Sequence, residues 1–486
     1  MRNAVLLASL LGVGLLAGCP DRSISEVSPQ QGRVEYKDIP TNVNRQIDIL
    51  FVIDDSPSML DKQTNLKSNF PNFINVLNTI AGGLPDVHIG VVTSDLGSLG
   101  ADGMTGPAIA GSVGGCSGAG KAGALQVFGA SGIVTGKYIA DAPGATSTSP
   151  RVINYTGTLA AAFSAMASAG AAGCGFEQHI EAAKKALQPT NTANTGFLRP
   201  DAFLAVIFIA DEDDCSMEHT TMLTGDTTQL GPLQSFRCTR YGITCDTGGT
   251  DPNTMNQVGP KGACHSNESS QYLTKIGDYA TFFKGLKPDD PTKVIMAGIM
   301  GTTTPFEVEL RAPNGSTQVI PALAHSCTYT DTMNLPEVAD PPIRIKQLLD
   351  SFPNRSTFST ICQQDLSGGL VLIAQLLKTA LGSPCIDGHL ADADGDPSNG
   401  IQYDCSVSDV QNFGKANQQE TVLPECNNLT TPASSTNTPC WAIESDAAQC
   451  SGGDHLILKI ERGGTTPPNN THTISYCVTE ATGSGG

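Results

Sequence analysis

Motifs that announce a catalytic nucleophile or a phosphate cradle are missing from these 486 residues. There is no G-x-S-x-G and no glycine-rich P-loop, and none of the eight His stands beside a Ser or Cys in a nucleophile pattern. No C-x-x-C pair occurs, which removes the usual zinc spacings. Basic residues are scarce as well. Lys and Arg number 28 against 47 Asp and Glu, for a net charge of −19 and a pI near 4.7. That balance excludes nucleic acid as a partner, because phosphates need clusters of Lys and Arg, and it suits cation binding. After the first few residues no apolar run is long enough to span a bilayer. The longest, residues 369–381, carries Gln375 and Lys378 and reads as a core helix.

What is present begins with a targeting segment. Arg2 supplies a positive start, residues 4–16 an apolar stretch of signal-peptide length, and Leu16-Ala17-Gly18-Cys19 closes it. That ending resembles a bacterial lipobox. The resemblance implies removal of residues 1–18 and lipidation of Cys19. With Pro20 next and no Asp to retain it in the inner membrane, it also implies an anchor in the outer membrane of the cell envelope. Residues 19–43 are polar, contain Pro20, Pro29 and Pro40, show no periodicity, and read as a tether. Fifteen cysteines are present. Setting Cys19 aside leaves an even number, which in an exported chain implies disulfides of undetermined connectivity.

The stretch that organises the chain is residues 44–60, NRQIDILFVIDDSPSML. Its apolar run is too short for a helix and rich in β-branched and aromatic residues, so it predicts a fully buried strand of a parallel sheet. Further strands are predicted at 87–93, 203–210 and 293–300, with a weaker one at 306–310. Helices are predicted over 157–168, 176–187, 270–286, 342–351 and 369–381. Leu66, Phe70, Phe73, Ile74 and Leu77 mark a helix that should kink or restart at Pro71. This alternation over residues 44–384 argues for an α/β fold with a doubly wound, mostly parallel sheet. It is interrupted by insertions at 96–148, with one short strand at 124–128, and at 212–268. Residues 385–486 differ: rich in cysteine, with alternating strands at 455–460 and 471–478, they read as a small β module with Trp441 in its core.

In such a sheet ligands bind beyond the carboxyl ends of the strands. Asp54, Ser56 and Ser58 would land there as hard oxygen donors of the kind Mg²⁺ prefers. The string D-x-S-x-S after a buried strand resembles the metal-ion-dependent adhesion site of von Willebrand factor A domains. That resemblance implies Mg²⁺, or Mn²⁺ or Ca²⁺ in its place, held also by Asp211, which follows the strand at 203–210. It implies an acidic protein partner that completes the coordination shell. The family places a Thr in a third loop, where this chain has Gly173-Cys174-Gly175-Phe176-Glu177 and no Thr. Glu177 is the replacement oxygen available there, and Asp213 a further candidate. With so many acids on one rim, repulsion calls for a cation or for protonated carboxyls.

Two plainer readings stand beside this one. Asp and Ser at a strand-to-helix junction also serve as helix caps, which would leave a structural envelope protein without metal-dependent binding. The other is a metal-dependent hydrolase using the same carboxylates, but the D-x-D of phosphotransferases is broken by Ser56, and the expectation is no enzyme. Asp392, Asp394 and Asp396 suggest a calcium loop, yet Pro397 and Tyr403 stand where an EF-hand needs Gly and Glu, so they read as an acidic turn.

Overall fold

The computed structural model describes residues 33–480 apart from 41–44, 81–82, 147–148, 247–251, 314, 383, 387, 395–401, 448–449, 451–452, 466 and 469–470. The signal segment, Cys19 and most of the expected tether lie outside the described residues. In chain order the elements that matter here are β1 (Arg33–Pro40), β2 (Gln46–Ile53), α1 (Leu60–Asn78), β3 (Asp86–Thr93), β4 (Ile139–Ala142), β5 (Val152–Ile153), α2 (Leu159–Met166) and α3 (His179–Leu187). There follow β6 (Phe203–Ile209), α4 (Ile276–Gly285), β7 (Val294–Met300), β8 (Cys327–Thr330), β9 (Pro336–Ala339), α5 (Ile343–Asp350), β10 (Ser356–Thr360) and α6 (Ser367–Ala380). The chain closes with β11 (Cys405–Gln411), β12 (Gln419–Leu423), β13 (Cys440–Ser445), β14 (Leu456–Glu461) and β15 (Thr471–Thr479).

The centre is a mixed α/β body around a seven-stranded sheet in the order β10-β7-β6-β2-β3-β4-β5. The first five strands run parallel; β4 pairs antiparallel with β3, and β5 antiparallel with β4. The continuous apolar run of β2 follows from burial on both faces. Side chains alternate across a strand. Ile47, Ile49, Phe51 and Ile53 pack with α1, α2 and α6, while Leu50 and Val52 pack with α3, α4 and α5. On the first face Phe51, Phe70 and Phe163 form a cluster with Phe70 and Phe163 stacked 3.6 Å apart. One charge interrupts the run. Asp48, fully buried, accepts from Arg199 N and Nε at 2.7 Å each and so pins the amino end of β2.

Three expectations need correction. Residues 33–40 are not tether but strand β1, paired antiparallel along its whole length with β15 at the far end of the chain. Val34 and Tyr36 fall on one face and Ile39 on the other, so no clear alternation marks the strand, and its partner cannot be seen locally. Residues 124–128 form no strand. The strand of that segment is β4, which joins the main sheet beside β3, so the supposed insertion supplies part of the sheet itself. Helix α1 runs unbroken through Pro71. Proline removes the donor that would bond the carbonyl four residues back; that carbonyl, of Lys67, instead accepts from Ser164 Oγ at 3.4 Å.

The C-terminal residues build two small sheets, β1-β15-β11-β12 and a short strand (Cys385–Ile386) with β14 and β13. Trp441 is buried between them with Ile39, Val407 and Leu458. All fourteen cysteines after Cys19 are paired: Cys116–Cys174, Cys215–Cys238, Cys245–Cys264, Cys327–Cys362, Cys385–Cys450, Cys405–Cys477 and Cys426–Cys440. Among the described residues no helix is long and apolar enough to cross a membrane.

Candidate metal centre

Strand register brings the first two carboxylates together. Ile53 pairs with Ile209, and Asp54 N donates to Ile209 O at 3.0 Å, so Asp54 and Asp211 leave neighbouring strands side by side. Asp54 is fully buried. Its Oδ1 accepts from Ser56 N at 2.7 Å and Ser94 Oγ at 3.3 Å. The turn that follows aims Ser56 Oγ and Ser58 Oγ at each other, 3.0 Å apart. Two oxygens in adjacent positions around an octahedral Mg²⁺ at its usual bond length lie about 2.9 Å apart. Ser56 is buried and Ser58 exposed, so the turn reaches the surface at Ser58.

Two oxygens at this centre have no hydrogen-bond partner although they are buried: Asp54 Oδ2 and Asp211 Oδ1. Buried carboxylate oxygens are nearly always satisfied. The donor set, two carboxylates and two hydroxyls, fits a hard divalent cation. Among the described residues no three His, Cys, Asp or Glu side chains are grouped so as to hold a metal ion by themselves; hydroxyls make up half of the set here.

The protein also supplies cations of its own, which sequence reasoning missed. Lys62, four residues after Ser58 and therefore turned back over the same helix edge, is fully buried. Its ammonium donates to Ser58 O and Glu337 Oε2, both at 2.9 Å, and lies 3.2 Å from Asp211 Oδ2. His179 Nε2 lies 3.4 Å from Asp54 Oδ2. Lys121 reaches back from the 96–148 segment to bond Asp55 and Asp95. The visible signal was charge itself: an acidic rim in a folded protein needs buried partners, and Lys62 stood within one helical turn of the motif.

These contacts sort the carboxyls. Burial raises Asp54, but the His179 imidazole close beside Oδ2, its charge, and the Ser56 N–H bond to Oδ1 outweigh it, and its pKa falls below the ordinary carboxylate value. Asp211 is pushed up to about 7, by burial first and then by the charge of Asp54, against the pull of Lys62 and Ser58. Glu177 sits against Glu212. Burial raises both well above the ordinary value, helped at Glu177 by the charges of Glu212 and Asp54 and at Glu212 by those of Asp340 and Asp211. Glu177 therefore stands as half of a carboxyl pair, within range of the Asp54 charge. Asp213 is engaged elsewhere. Its two oxygens accept from Arg344 N at 3.0 and 2.9 Å, and one from Ile345 N at 3.2 Å, holding the first turn of α5. The third loop is anchored by Gly173 N to Asp55 O at 2.7 Å and by the Cys116–Cys174 disulfide. Of the acidic turn, Asp392 Oδ1 accepts from Gln402 N at 3.2 Å, and Asp396 lies outside the described residues.

No protein-family model and no curated protein matches this chain. Among solved structures it is similar to the pilus adhesin (RrgA) from Streptococcus pneumoniae, at 11% identity and a TM-score of 0.26. The match takes in 92% of this chain, which spans 58% of that one. A likeness that low carries no argument about either fold or function.

Proposed function

We propose that this chain is a lipid-anchored binding protein of the bacterial envelope built on a von Willebrand A-like, doubly wound sheet. Its site takes Mg²⁺, or Mn²⁺ or Ca²⁺, between Asp54, Ser56, Ser58 and Asp211, and presents the ion to a carboxylate of a protein partner. The observation that supports this reading is the pair of buried oxygens that make no hydrogen bond, Asp54 Oδ2 (with His179 Nε2 3.4 Å away) and Asp211 Oδ1, beside two hydroxyls at ligand spacing. When bound, the ion supplies a Lewis-acidic position for an incoming oxygen. The residues themselves do the rest. Asp54, held ionised by His179 and Ser56, orients the turn, and exposed Ser58 leaves the outer side open to a partner. Anchoring rests on the lipobox-like residues 16–19, and the role is binding rather than turnover.

A rival structural reading has a specific basis: Lys62 and His179 already stand against the two carboxylates. In that case the centre is closed by its own cations and only stabilises the fold. Calorimetric titration of Mg²⁺, Mn²⁺ and Ca²⁺ into the chain from Ser23 onward, beside its Asp54→Ala form, separates the two. Binding to the native protein that the substitution abolishes supports the metal centre, and native protein should then melt higher in the ion by mass action. An absence of heat in both proteins sinks the metal-dependent reading and leaves the structural one.

A further inference from the structure

At the opposite, amino end of the sheet the C-terminal sheet meets the central body, and the seam encloses a cavity of about 390 Å³. We propose that this cavity binds a small aromatic carboxylate. Its volume lies in the range of ligand sites, which favour such seams and combine an apolar lining with a few placed polar groups. The walls come from four separate parts of the chain: Tyr36 of β1, Lys284 of α4, Phe352 and Arg355 between α5 and β10, and Phe413 after β11. Three of these, Tyr36, Phe352 and Phe413, are flat rings brought to the cavity by separate segments.

The polar groups decide the charge of the occupant. Asp38, which also lines the cavity, is bonded by Arg355 and lies 2.6 Å from His472 Nδ1, so its charge is answered within the protein. Lys284 is different. Among the described residues its ammonium has neither a hydrogen-bond nor an ion-pair partner, and it rests 5.2 Å from the centroid of the Phe352 ring. A second cation in the cavity would meet repulsion from it. A neutral apolar guest would strip water from the ammonium and return nothing. A planar ring bearing a carboxylate fills the space between Phe352 and Phe413 and gives Lys284 a charge-assisted hydrogen bond. The chain as a whole, at −19, repels anions, so selectivity for one must come from this local arrangement. This site is independent of the metal centre and stands or falls without it.

The test is calorimetric titration of the full chain with naphthalene-2-carboxylate and with its neutral carboxamide. The carboxylate should bind more tightly than the carboxamide. Lys284→Gln should weaken the carboxylate about tenfold or more, the size of a lost charged hydrogen bond, and leave the carboxamide unchanged, while Lys284→Arg should restore it. Unchanged melting of the Gln variant would show that the fold is intact. Absence of carboxylate binding at millimolar concentration overturns the proposal. So does equal affinity for acid and amide, or carboxylate binding that the Gln variant retains in full.

Discussion

Replacing His472 by Gln tests how the C-terminal sheet is held to the central body. His472 is almost wholly buried, with Nδ1 2.6 Å from Asp38 Oδ1 and Nε2 3.3 Å from Asp290 Oδ2. Phe413 stacks on its ring, and Arg355 faces it across Asp38. Burial pushes the imidazole pKa down, but hydrogen bonds and charge from Asp290 and Asp38 push it further up, so the net shift is upward. A raised folded value means that the native state holds the proton more tightly than the unfolded chain. The stabilisation is therefore complete below the ordinary His value of about 6.5 and is lost as pH rises through the folded value. Removing one member of a buried ion pair costs about 3–5 kcal/mol. Asp38 keeps Arg355, and Asp290 keeps Thr292 N at 3.1 Å, so the lower end, about 3 kcal/mol, applies at pH 5–6. Once the native imidazole is neutral, only an ordinary hydrogen bond is at stake, about 1 kcal/mol. The lone Trp441 lies in the core of the C-terminal sheets and reports their unfolding by fluorescence. Denaturant midpoints of both proteins, disulfides intact, from pH 5 to 9 should show a deficit that shrinks as pH rises. A deficit constant across that window, or one growing toward pH 9, refutes the electrostatic account.

Two further outcomes are expected. Lys62→Met removes the cation beside Asp211 and Glu337 and should cost about 3–5 kcal/mol in chelator. If a divalent ion reaches Asp211, that deficit should be smaller in saturating Mg²⁺, and equal deficits by urea denaturation in both conditions would show that it does not. Breaking Cys116–Cys174 by Ser substitution at both positions frees a loop whose ends are 58 residues apart, for a loss of about 4 kcal/mol on the chain-entropy scale. Because that bond holds the third loop against Asp55, ion binding in the same variant should weaken more than in one lacking Cys426–Cys440.

The central strands were legible because burial on both faces leaves an unbroken apolar run, and β2, β3, β6 and β7 fall within a residue of where those runs predict them. Strand β1 was not. Its sequence, RVEYKDIP, is half polar, and its partner lies at the other end of the chain. Strand β4 hid because it is only four residues long, Ile-Ala-Asp-Ala, too short to show a pattern. At the centre, alternate oxygens after a buried strand were enough to bring Asp54, Ser56 and Ser58 together. The counter-charges from the protein itself were not legible in the same way. Besides the cation expected from solution, Lys62 supplies charge from the next helical turn, and His179, Lys121 and Arg344 supply it from helices and loops distant in sequence. Spacing reveals donors that share a turn; it is silent about a partner that only tertiary packing delivers.

The pairing of β1 with β15 has a consequence for the order of assembly. The first described strand finds its hydrogen-bond partners only when the last described one has been made, and contacts that distant in sequence form late. Until then β1 and β11 both present open edges, the kind of surface on which chains associate wrongly. A nascent or truncated chain ending before Thr471 also lacks Cys477, the partner of Cys405, and so carries an unpaired thiol next to an unpaired edge. Synthesis through β15 is thus required before either edge is closed. A chain that stops short is marked, at both ends at once, as unfinished.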